Sequence, residues 1–268
     1  MTGTALIPTP GRPAQNLRVR VIPMLLIDRN GRLVKTVKFG KRTYIGDPIN
    51  AVRIFNTKAV DELVLIDIDA SADGREPAYD HIAEIASEAF MPVAYGGGLN
   101  TMDQIACTID CGVEKVILSG VLAQGTDLIE TAAKRWGGQA VTVCLPVGRN
   151  WRGRQQVRLA QGKKPMKDDL DTVVTRVTDA GAGEIIIYAI AHDGTWGGYD
   201  TDLCAQVARA TSLPVVACGG AGAPEHFRAA TDAGCAAVAA GSMFIYRAKG
   251  QGVLINYPSK VQLDAYFS

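Results

Sequence analysis

The sequence predicts a single (β/α)8 TIM barrel that is built from two half-barrel repeats. Short apolar runs alternate with helical patterns along the chain, which is typical of a parallel sheet covered by helices. Eight such pairs fit into 268 residues, and a barrel of this kind needs roughly 250. Similar segments also recur at one constant spacing, which indicates that one half of the barrel copies the other.

The individual elements follow one another in a regular order. Two stretches, 28–39 and 151–161, interrupt this order and are expected to form hairpins inserted in loops; the first has Asn30-Gly31 between apolar alternations. Runs rich in Val, Ile and Leu predict strands at 18–27, 62–69, 92–95, 115–118, 139–145, 184–190, 214–217 and 236–240. Helical patterns predict helices at 50–58, 79–89, 101–111, 126–136, 168–181, 201–211, 224–234 and 259–267.

Residues 1–17 are expected to form a flexible N-terminal extension, so that the barrel spans 18–268. Their Pro and Gly residues stand where a secretory signal needs an apolar segment. No apolar run reaches the roughly 18 residues of a membrane helix. The net charge of +1 argues against a nucleic-acid partner, and the six cysteines are scattered without a CxxC pair. We therefore expect a cytoplasmic protein with no membrane contact, no metal and no other cofactor.

The two halves of the chain repeat each other with a fixed offset of 122 residues. Because the offset is constant over separated segments, a ligand site in one half is expected to have a counterpart in the other. The matched positions are Glu62 with Glu184, Pro92 with Pro214, Gly112 with Gly234, and Ser119-Gly120 with Gly241-Ser242.

Glycine-rich turns follow four of the predicted strands, at the end of the barrel where TIM barrels bind their ligands. Glycine lets backbone N–H groups approach an anion closely. Such turns could be no more than tight turns, but two symmetric pairs favour two phosphate cradles, for a ligand phosphorylated at both ends or as an inherited shape. The expected phosphate or substrate contacts are Gly97, Gly98, Ser119, Gly120, Gly194, Thr195, Gly219, Gly220, Gly241 and Ser242.

Asp193 and Lys35 are the candidate catalytic residues. Asp193 follows the sixth strand, where a carboxylate could act as general acid or base, although it could equally cap the next turn. Lys35 lies on the first hairpin and could reach over the barrel mouth, or could be a solvated loop lysine. Asp67 and Asp69 are expected to point into the barrel or nearly so, where a carboxylate needs a partner.

Four charged residues of alternating sign stand at the other end of the barrel, at or next to strand starts. Opposite charges there would form a ring of ion pairs. Isolated surface pairs contribute little, so the ring could be merely structural, or it could gate a small molecule. Its members are Arg20, Glu62, Lys115 and Glu184.

Several longer segments together carry a family resemblance that covers about residues 18–268. The chain resembles the cyclase subunit of imidazole glycerol phosphate synthase, a barrel of histidine biosynthesis. The resemblance implies that a separate glutaminase docks on the amino-terminal face and that the four charged residues gate ammonia on its way to a phosphate-bound substrate. The segments are Val21-Ile-Pro, Gly31-Arg-Leu-Val-Lys35, Asp61-Glu-Leu-Val, Gly96-Gly-Gly, Gly181-Ala-Gly-Glu184, Asp193-Gly-Thr, Gly197-Gly-Tyr-Asp200, Gly219-Gly-Ala-Gly and Glu225-His-Phe.

The chain departs from that family at the residues that carry its chemistry. The family's two acid–base aspartates correspond to Leu26 and Pro146, and neither replacement can carry a proton. Ser119 stands where the family has an Asn on the phosphate side, and Tyr188 stands where the family has a Thr on the sixth strand. Because both aspartates are replaced, the chain is not expected to catalyse the usual cyclisation.

A divergent branch of the family resembles the chain more closely, through Tyr44–Asn56 and Leu254–Ser259. That branch is associated with amidation of acetamido sugars in surface polysaccharides, together with a glutaminase and an amidotransferase-like third protein. The resemblance implies a synthase-like subunit that receives ammonia from a separate glutaminase and channels it for amidation of a phospho- or nucleotide sugar. Glutamine hydrolysis is assigned to another chain because no cysteine here has the sequence context of a glutaminase nucleophile.

Two alternatives stay open at this point. The chain could be a true cyclase subunit of imidazole glycerol phosphate synthase that uses altered residues. It could also be a non-catalytic barrel that binds a phosphosugar and activates the glutaminase.

Overall fold

The computed structural model describes residues 19–267, so the extension expected at 1–17 lies outside the described residues. Eight parallel strands close into a barrel, because each strand pairs with the next and the last pairs with the first. The predicted fold class is confirmed. The barrel strands are β1 (Arg20–Ile27), β2 (Leu63–Asp67), β3 (Val93–Gly96), β4 (Lys115–Leu118), β5 (Val141–Arg149), β6 (Glu184–Ala189), β7 (Val215–Cys218) and β8 (Ala237–Ala240).

A helix follows each barrel strand and covers it from outside. Several helices begin at side chains that accept a backbone N–H, such as Thr101, Asp169 and Asp200, which explains where these helices start. None of the described helices is long and apolar enough to cross a membrane. The helices are α1 (Pro48–Thr57), α2 (Tyr79–Glu88), α3 (Met102–Asp110), α4 (Asp127–Trp136), α5 (Leu170–Asp179), α6 (Thr201–Ala210), α7 (Glu225–Asp232) and α8 (Lys260–Phe267).

Shorter elements fill the loops. Two of them lie where hairpins are expected. Leu33–Thr36 pairs with the end of β1 across the Asn30-Gly31 turn and pairs again with Arg42–Gly46, so that the first hairpin extends beyond the predicted end at residue 39. In the second, Gln155–Arg158 pairs with the end of β5. β5 therefore runs beyond the predicted end at residue 145. The remaining short elements are helices Ala70–Asp73, Leu159–Gly162 and Ser242–Ile245, turns of 3₁₀-helix at Gly120–Ala123 and Gly138–Ala140, and strand Lys164–Pro165.

Both hairpins lie over the carboxyl-terminal mouth of the barrel. Phe39, at the tip of the first hairpin, packs edge-to-face on Tyr188 of β6 with ring centroids 4.8 Å apart. From the second insert, Gln161 Nε2 donates a hydrogen bond to the Ile68 carbonyl at 2.7 Å. The mouth is therefore covered by side chains from two inserted segments.

The barrel interior is arranged in layers of inward-facing side chains. In a barrel of tilted strands, side chains from alternate strands share one level. The strand registers give the layers from the amino-terminal end upward. The first layer contains Glu62, Lys115, Glu184 and Ala237; the second contains Ile22, Ala94, Thr142 and Val216; the third contains Val64, Ile117, Ile186 and Ala239; and the fourth includes Met24, Cys144 and Cys218.

Candidate functional site

A small pocket lies at the mouth, between the carboxyl ends of β7 and β8. It holds about 20 Å³ of free volume, enough for one water-sized molecule. Five of the expected phosphate contacts are brought together here: Gly194, Gly219, Gly220, Gly241 and Ser242.

Close contacts, with backbone at Gly220 and with the Lys35 side chain at Gly241, surround the glycines of this pocket. Gly220 has φ +112°, and a Cβ atom there would lie 2.1 Å from the Gly198 carbonyl oxygen. A Cβ atom on Gly241 would lie 2.3 Å from Lys35 Nζ. The chain can pass this point only without side chains, which leaves backbone exposed to a ligand in the pocket.

Lys35 is a buried cation that lines the pocket and is only 5% exposed. Its Nζ donates a hydrogen bond to the Met24 carbonyl at 2.6 Å. Burial lowers the pKa of Lys35 to about 8, and the charge of Asp193 acts against that lowering. The solvated alternative for Lys35 is thus wrong, because its hairpin strand pairs with β1 and directs the side chain into the mouth.

Asp193 is also buried, and its carboxylate is held by three hydrogen bonds. It accepts from Thr36 Oγ1 at 2.8 Å, from the Phe39 N–H at 3.2 Å and from Tyr188 Oη at 2.9 Å. Burial and the Asp193 charge raise the pKa of Tyr188 well above its ordinary value, so that this phenol remains a donor. In this arrangement Asp193 ties the first hairpin to β6, and a proton-transfer role needs the hairpin to move.

The expected cradle in the first half has a different environment. β3 and β4 pair side by side, so Gly97, Gly98, Ser119 and Gly120 end up on neighbouring turns. A Cβ atom on Gly97 would lie 2.4 Å from the Asp67 carbonyl oxygen, and the Gly98 N–H donates to Ser71 Oγ at 3.2 Å. The Gly98 donor is therefore engaged within the protein.

Thr195 also uses its hydroxyl internally. Its Oγ1 donates to the His192 carbonyl at 2.8 Å. The adjacent Gly194 adopts φ +66° and passes close to the hairpin, since a Cβ atom there would lie 2.6 Å from the Thr36 carbonyl oxygen. Gly194 can offer its backbone to the pocket, whereas the Thr195 hydroxyl would have to turn first.

The expected inward direction of Asp67 and Asp69 is wrong. In β2 the inward positions are Val64 and Ile66, so the odd-numbered aspartates face the other side. Asp67 accepts the Ala70 N–H at 3.0 Å and pairs with Arg75. Asp69 holds Arg42 through two hydrogen bonds of 2.7 Å each. Both carboxylates are satisfied by local partners and stabilise loops outside the barrel interior.

Apolar atoms occupy the two positions where the resemblance implied aspartates. Leu26 is 4% exposed and lines the mouth pocket. Pro146 is paired with Tyr188 in the register of β5 and β6. The only acid–base candidates from the expected set that remain at the mouth in the described residues are therefore Lys35 and Asp193. The described residues contain no group of three His, Cys, Asp or Glu that could hold a metal ion.

The four charged residues form a closed ring of ion pairs at the amino-terminal end. Arg20 donates to Glu62 and to Glu184. Lys115 Nζ donates to Glu62 Oε1 at 2.8 Å and to Glu184 Oε2 at 3.4 Å. Burial alone would lower the pKa of Arg20, but its contacts with both glutamates raise it above the ordinary value. The ring thus closes the barrel bottom with paired charges.

The residues that close the mouth were not predicted from the sequence. Thr36 and Phe39 both bond to Asp193, which lies more than 150 positions away in the chain. No local sequence pattern predicts such a contact, since it forms only when the hairpin folds over β6. Cys218, which also lines the pocket, was not predicted as a site residue because a lone Cys in an apolar strand is typical of a core position.

Comparison with known proteins agrees with the barrel fold. A family model described as histidine biosynthesis protein matches residues 20–250. The chain belongs to the histidine biosynthesis protein family.

Relatives in this family span almost the whole chain. A Leptospira borgpetersenii protein, provisionally named imidazole glycerol phosphate synthase subunit HisF, is 41% identical over 253 residues, which are 94% of this chain and 99% of the relative. The provisionally named subunit hisF2 of Pseudomonas aeruginosa is 42% identical over 249 residues, or 92% and 99%. The Streptomyces coelicolor imidazole glycerol phosphate synthase subunit HisF is 36% identical over 228 residues, or 85% and 90%.

Proposed function

We propose that this chain is the synthase-like subunit of a glutamine amidotransferase complex. It receives ammonia from a separate glutaminase at the amino-terminal face and conducts it through the barrel to a phosphorylated or nucleotide-linked sugar at the mouth. The observation that carries this proposal is the combination of a complete charged ring with Leu26 and Pro146 at the mouth. In this proposal the ring would serve as the entrance for ammonia, whereas Leu26 and Pro146 stand where the resemblance implies the acid–base pair of the cyclase.

The barrel interior supports ammonia transfer on physical grounds. The layers above the ring are mostly aliphatic, and a charged ammonium ion would lose its hydration there. Neutral ammonia pays a much smaller penalty for the same transfer. A closed apolar path therefore protects ammonia from protonation in bulk water.

The lining of the mouth pocket suits an anionic ligand, which could enter once the first hairpin opens and enlarges the pocket. Its backbone turns are free of side chains at Gly219 and Gly220, and the Lys35 cation lies against Gly241. Backbone N–H groups and a cation together are the usual partners of a phosphate group. The chemistry at the sugar would come from Asp193 and Lys35, acting separately or together, or from an amidotransferase-like third protein.

A reconstitution experiment tests the proposal. The purified chain is mixed with a HisH-like glutaminase from the same genome, and gel filtration and glutamine turnover are measured. We expect a complex of the two chains and a glutaminase that turns over faster in the presence of a sugar phosphate. No complex and no rise in glutamine turnover would contradict the proposal.

A second candidate is the cyclase reaction of imidazole glycerol phosphate synthase. The names of the relatives in this family favour this candidate more directly than they favour sugar amidation. A direct assay separates the two: ammonia and the phosphoribulosyl formimino substrate are supplied, and imidazole glycerol phosphate is measured. Product formation at saturating ammonia would establish the cyclase, and no product would remove it.

A further inference from the structure

Thr142 is the one polar side chain in the interior layer directly above the charged ring, among the described residues. Its layer mates are Ile22, Ala94 and Val216, each at most 1% exposed. Thr142 itself is 1% exposed, and its Oγ1 finds no hydrogen-bond partner among residues 19–267. A buried hydroxyl left in this state destabilises the fold, and an aliphatic residue of the same shape would avoid that cost.

The register fixes where this hydroxyl lies. Thr142 pairs with Glu184 of β6 on one side and with Ile117 of β4 on the other. Glu184 faces the barrel axis, because it bonds to Arg20 and Lys115 in the ring. Residues paired across parallel strands face the same side of the sheet, so Thr142 also faces the axis. Its hydroxyl is the first uncharged polar group beyond the ring.

We propose that the Thr142 hydroxyl is a binding site for one molecule of neutral ammonia just inside the charged ring. A hydroxyl offers one donor and two acceptor sites. Ammonia can accept from that donor through its lone pair and can donate in return, whereas ammonium has no lone pair. The surrounding aliphatic layer also disfavours the ion. The inference rests on the ammonia-transfer function proposed above and identifies the first binding site for ammonia inside the barrel.

Methyl NMR on the full chain tests the site without a glutaminase or a sugar. Threonine methyl groups are labelled with carbon-13, and ammonium chloride is added at alkaline pH, where free ammonia is present. We expect the Thr142 methyl resonance to shift in a saturable manner with free ammonia. The same salt at acid pH, and sodium chloride at either pH, should leave it unchanged.

Thr108 provides a matched internal control. It is equally buried and its Oγ1 also has no partner in the described part of the chain, but it lies on α3, outside the barrel interior. Its methyl resonance should not respond to ammonia. No saturable shift at Thr142, or an equal shift at both threonines, would overturn the proposal and leave an ordinary buried hydroxyl or a water site.

The use of the site is tested in the complex with the glutaminase. Thr142→Val keeps the shape and removes the hydroxyl, while Thr142→Ser keeps the hydroxyl. We expect Thr142→Val to lower the amount of ammonia transferred per glutamine by up to about five-fold, the factor that one net hydrogen bond contributes. Thr142→Ser should stay close to wild type. Equal transfer in both variants would overturn this role, whereas a wild-type complex that transfers none would refute the proposed function instead.

Discussion

Lys35 is a buried cation that lines the mouth pocket, and its burial has consequences at the scale of the single residue. Its ammonium group meets the Met24 carbonyl, the Asp193 charge and the backbone of Gly241. A phosphate in the adjacent pocket would add a strong charge-assisted partner. Binding should therefore depend on the protonation of one lysine.

Phosphate binding is expected to weaken as the pH rises through the pKa of Lys35. The pKa of Lys35 is about 8 without ligand, and a bound anion would keep it there or raise it. The affinity for phosphate should therefore fall at pH values of about 8 and above. Isothermal titration with inorganic phosphate across this range measures the effect. Lys35→Met should bind weakly at all pH values, and a wild-type affinity that does not change with pH would argue against the role of Lys35.

The same lysine gives a stability prediction with a defined sign. The pKa of Lys35 is about 8 in the folded protein and 10.5 in the unfolded chain, so the unfolded chain binds more protons between these values. The free energy of unfolding contributed by this group should therefore rise with pH across that window, by on the order of 3 kcal/mol. Urea unfolding of wild type and of Lys35→Met gives the difference. An equal pH dependence in both proteins would contradict the assignment.

At the scale of the element, Asp193 ties the tip of the first hairpin to β6, in addition to the pairing of strand Leu33–Thr36 with β1. The carboxylate joins Thr36 and Phe39 of the hairpin to Tyr188 of β6. Ion pairing of Arg42 with Asp69 fixes the second hairpin strand to the end of β2. These contacts make the hairpin a cover whose opening would expose the pocket.

Loss of the Tyr188 hydroxyl should loosen the hairpin selectively. Tyr188→Phe is expected to increase hydrogen exchange of residues 33–46, because one of the three hydrogen bonds to Asp193 is lost. Tyr199→Phe is the control, since its buried hydroxyl bonds to the Ala239 carbonyl at 3.0 Å, away from the hairpin. Mass spectrometry of both variants reads the exchange. Equal exchange in the two variants would show that Asp193 does not hold the cover.

The turn after β7 should tolerate no side chain. Gly220→Ala is expected to destabilise the fold by at least 1–3 kcal/mol, roughly the cost of one strained backbone position. The backbone strain at φ +112° and the steric clash of a Cβ atom 2.1 Å from the Gly198 carbonyl oxygen both destabilise the variant. Gly120→Ala, where a Cβ would meet nothing within 4 Å, should be nearly neutral. Thermal unfolding compares them, and similar melting temperatures would contradict the stated contact.

Much of this site could be predicted from the sequence, for reasons that are local. The charged residues at strand starts and the glycine turns at strand ends keep their place because the barrel fixes both ends. Asp67 and Asp69 were misplaced, although the inward direction of Glu62 already assigns the even positions of β2 to the interior. The contacts of Asp193 could not be predicted, because they join residues that only the folded hairpin brings together.

At the scale of the whole molecule, the barrel has two ends with different chemistry. The amino-terminal end is closed by paired charges, and the carboxyl-terminal end carries the pocket beneath two hairpins. The half-barrel repeat explains the four glycine turns, but the two halves have diverged. In the second half the turns line a pocket with Lys35, whereas in the first half Gly97 and Gly98 are packed against the loop after β2.

Removing one member of the ring should affect both stability and transfer. Glu184→Ala leaves Arg20 and Lys115 with Glu62 as their remaining ring partner. Breaking a buried pair typically costs about 3–5 kcal/mol, and the partial exposure of Arg20 and Lys115 places the expected loss below that range. Chemical unfolding measures it. Arg228→Ala, which removes an exposed pair with Asp232, should change stability little.

Transport of glutamine nitrogen through the barrel is tested most directly by isotope competition. The complex of this chain with its glutaminase is given amide-labelled nitrogen-15 glutamine and an excess of unlabelled ammonium chloride, and nitrogen-15 is measured in the amidated sugar. Channelling predicts that the wild-type product keeps nitrogen-15 from glutamine, and that the Glu184→Ala complex incorporates more unlabelled nitrogen from the medium. A wild-type product that carries only unlabelled nitrogen would contradict channelling.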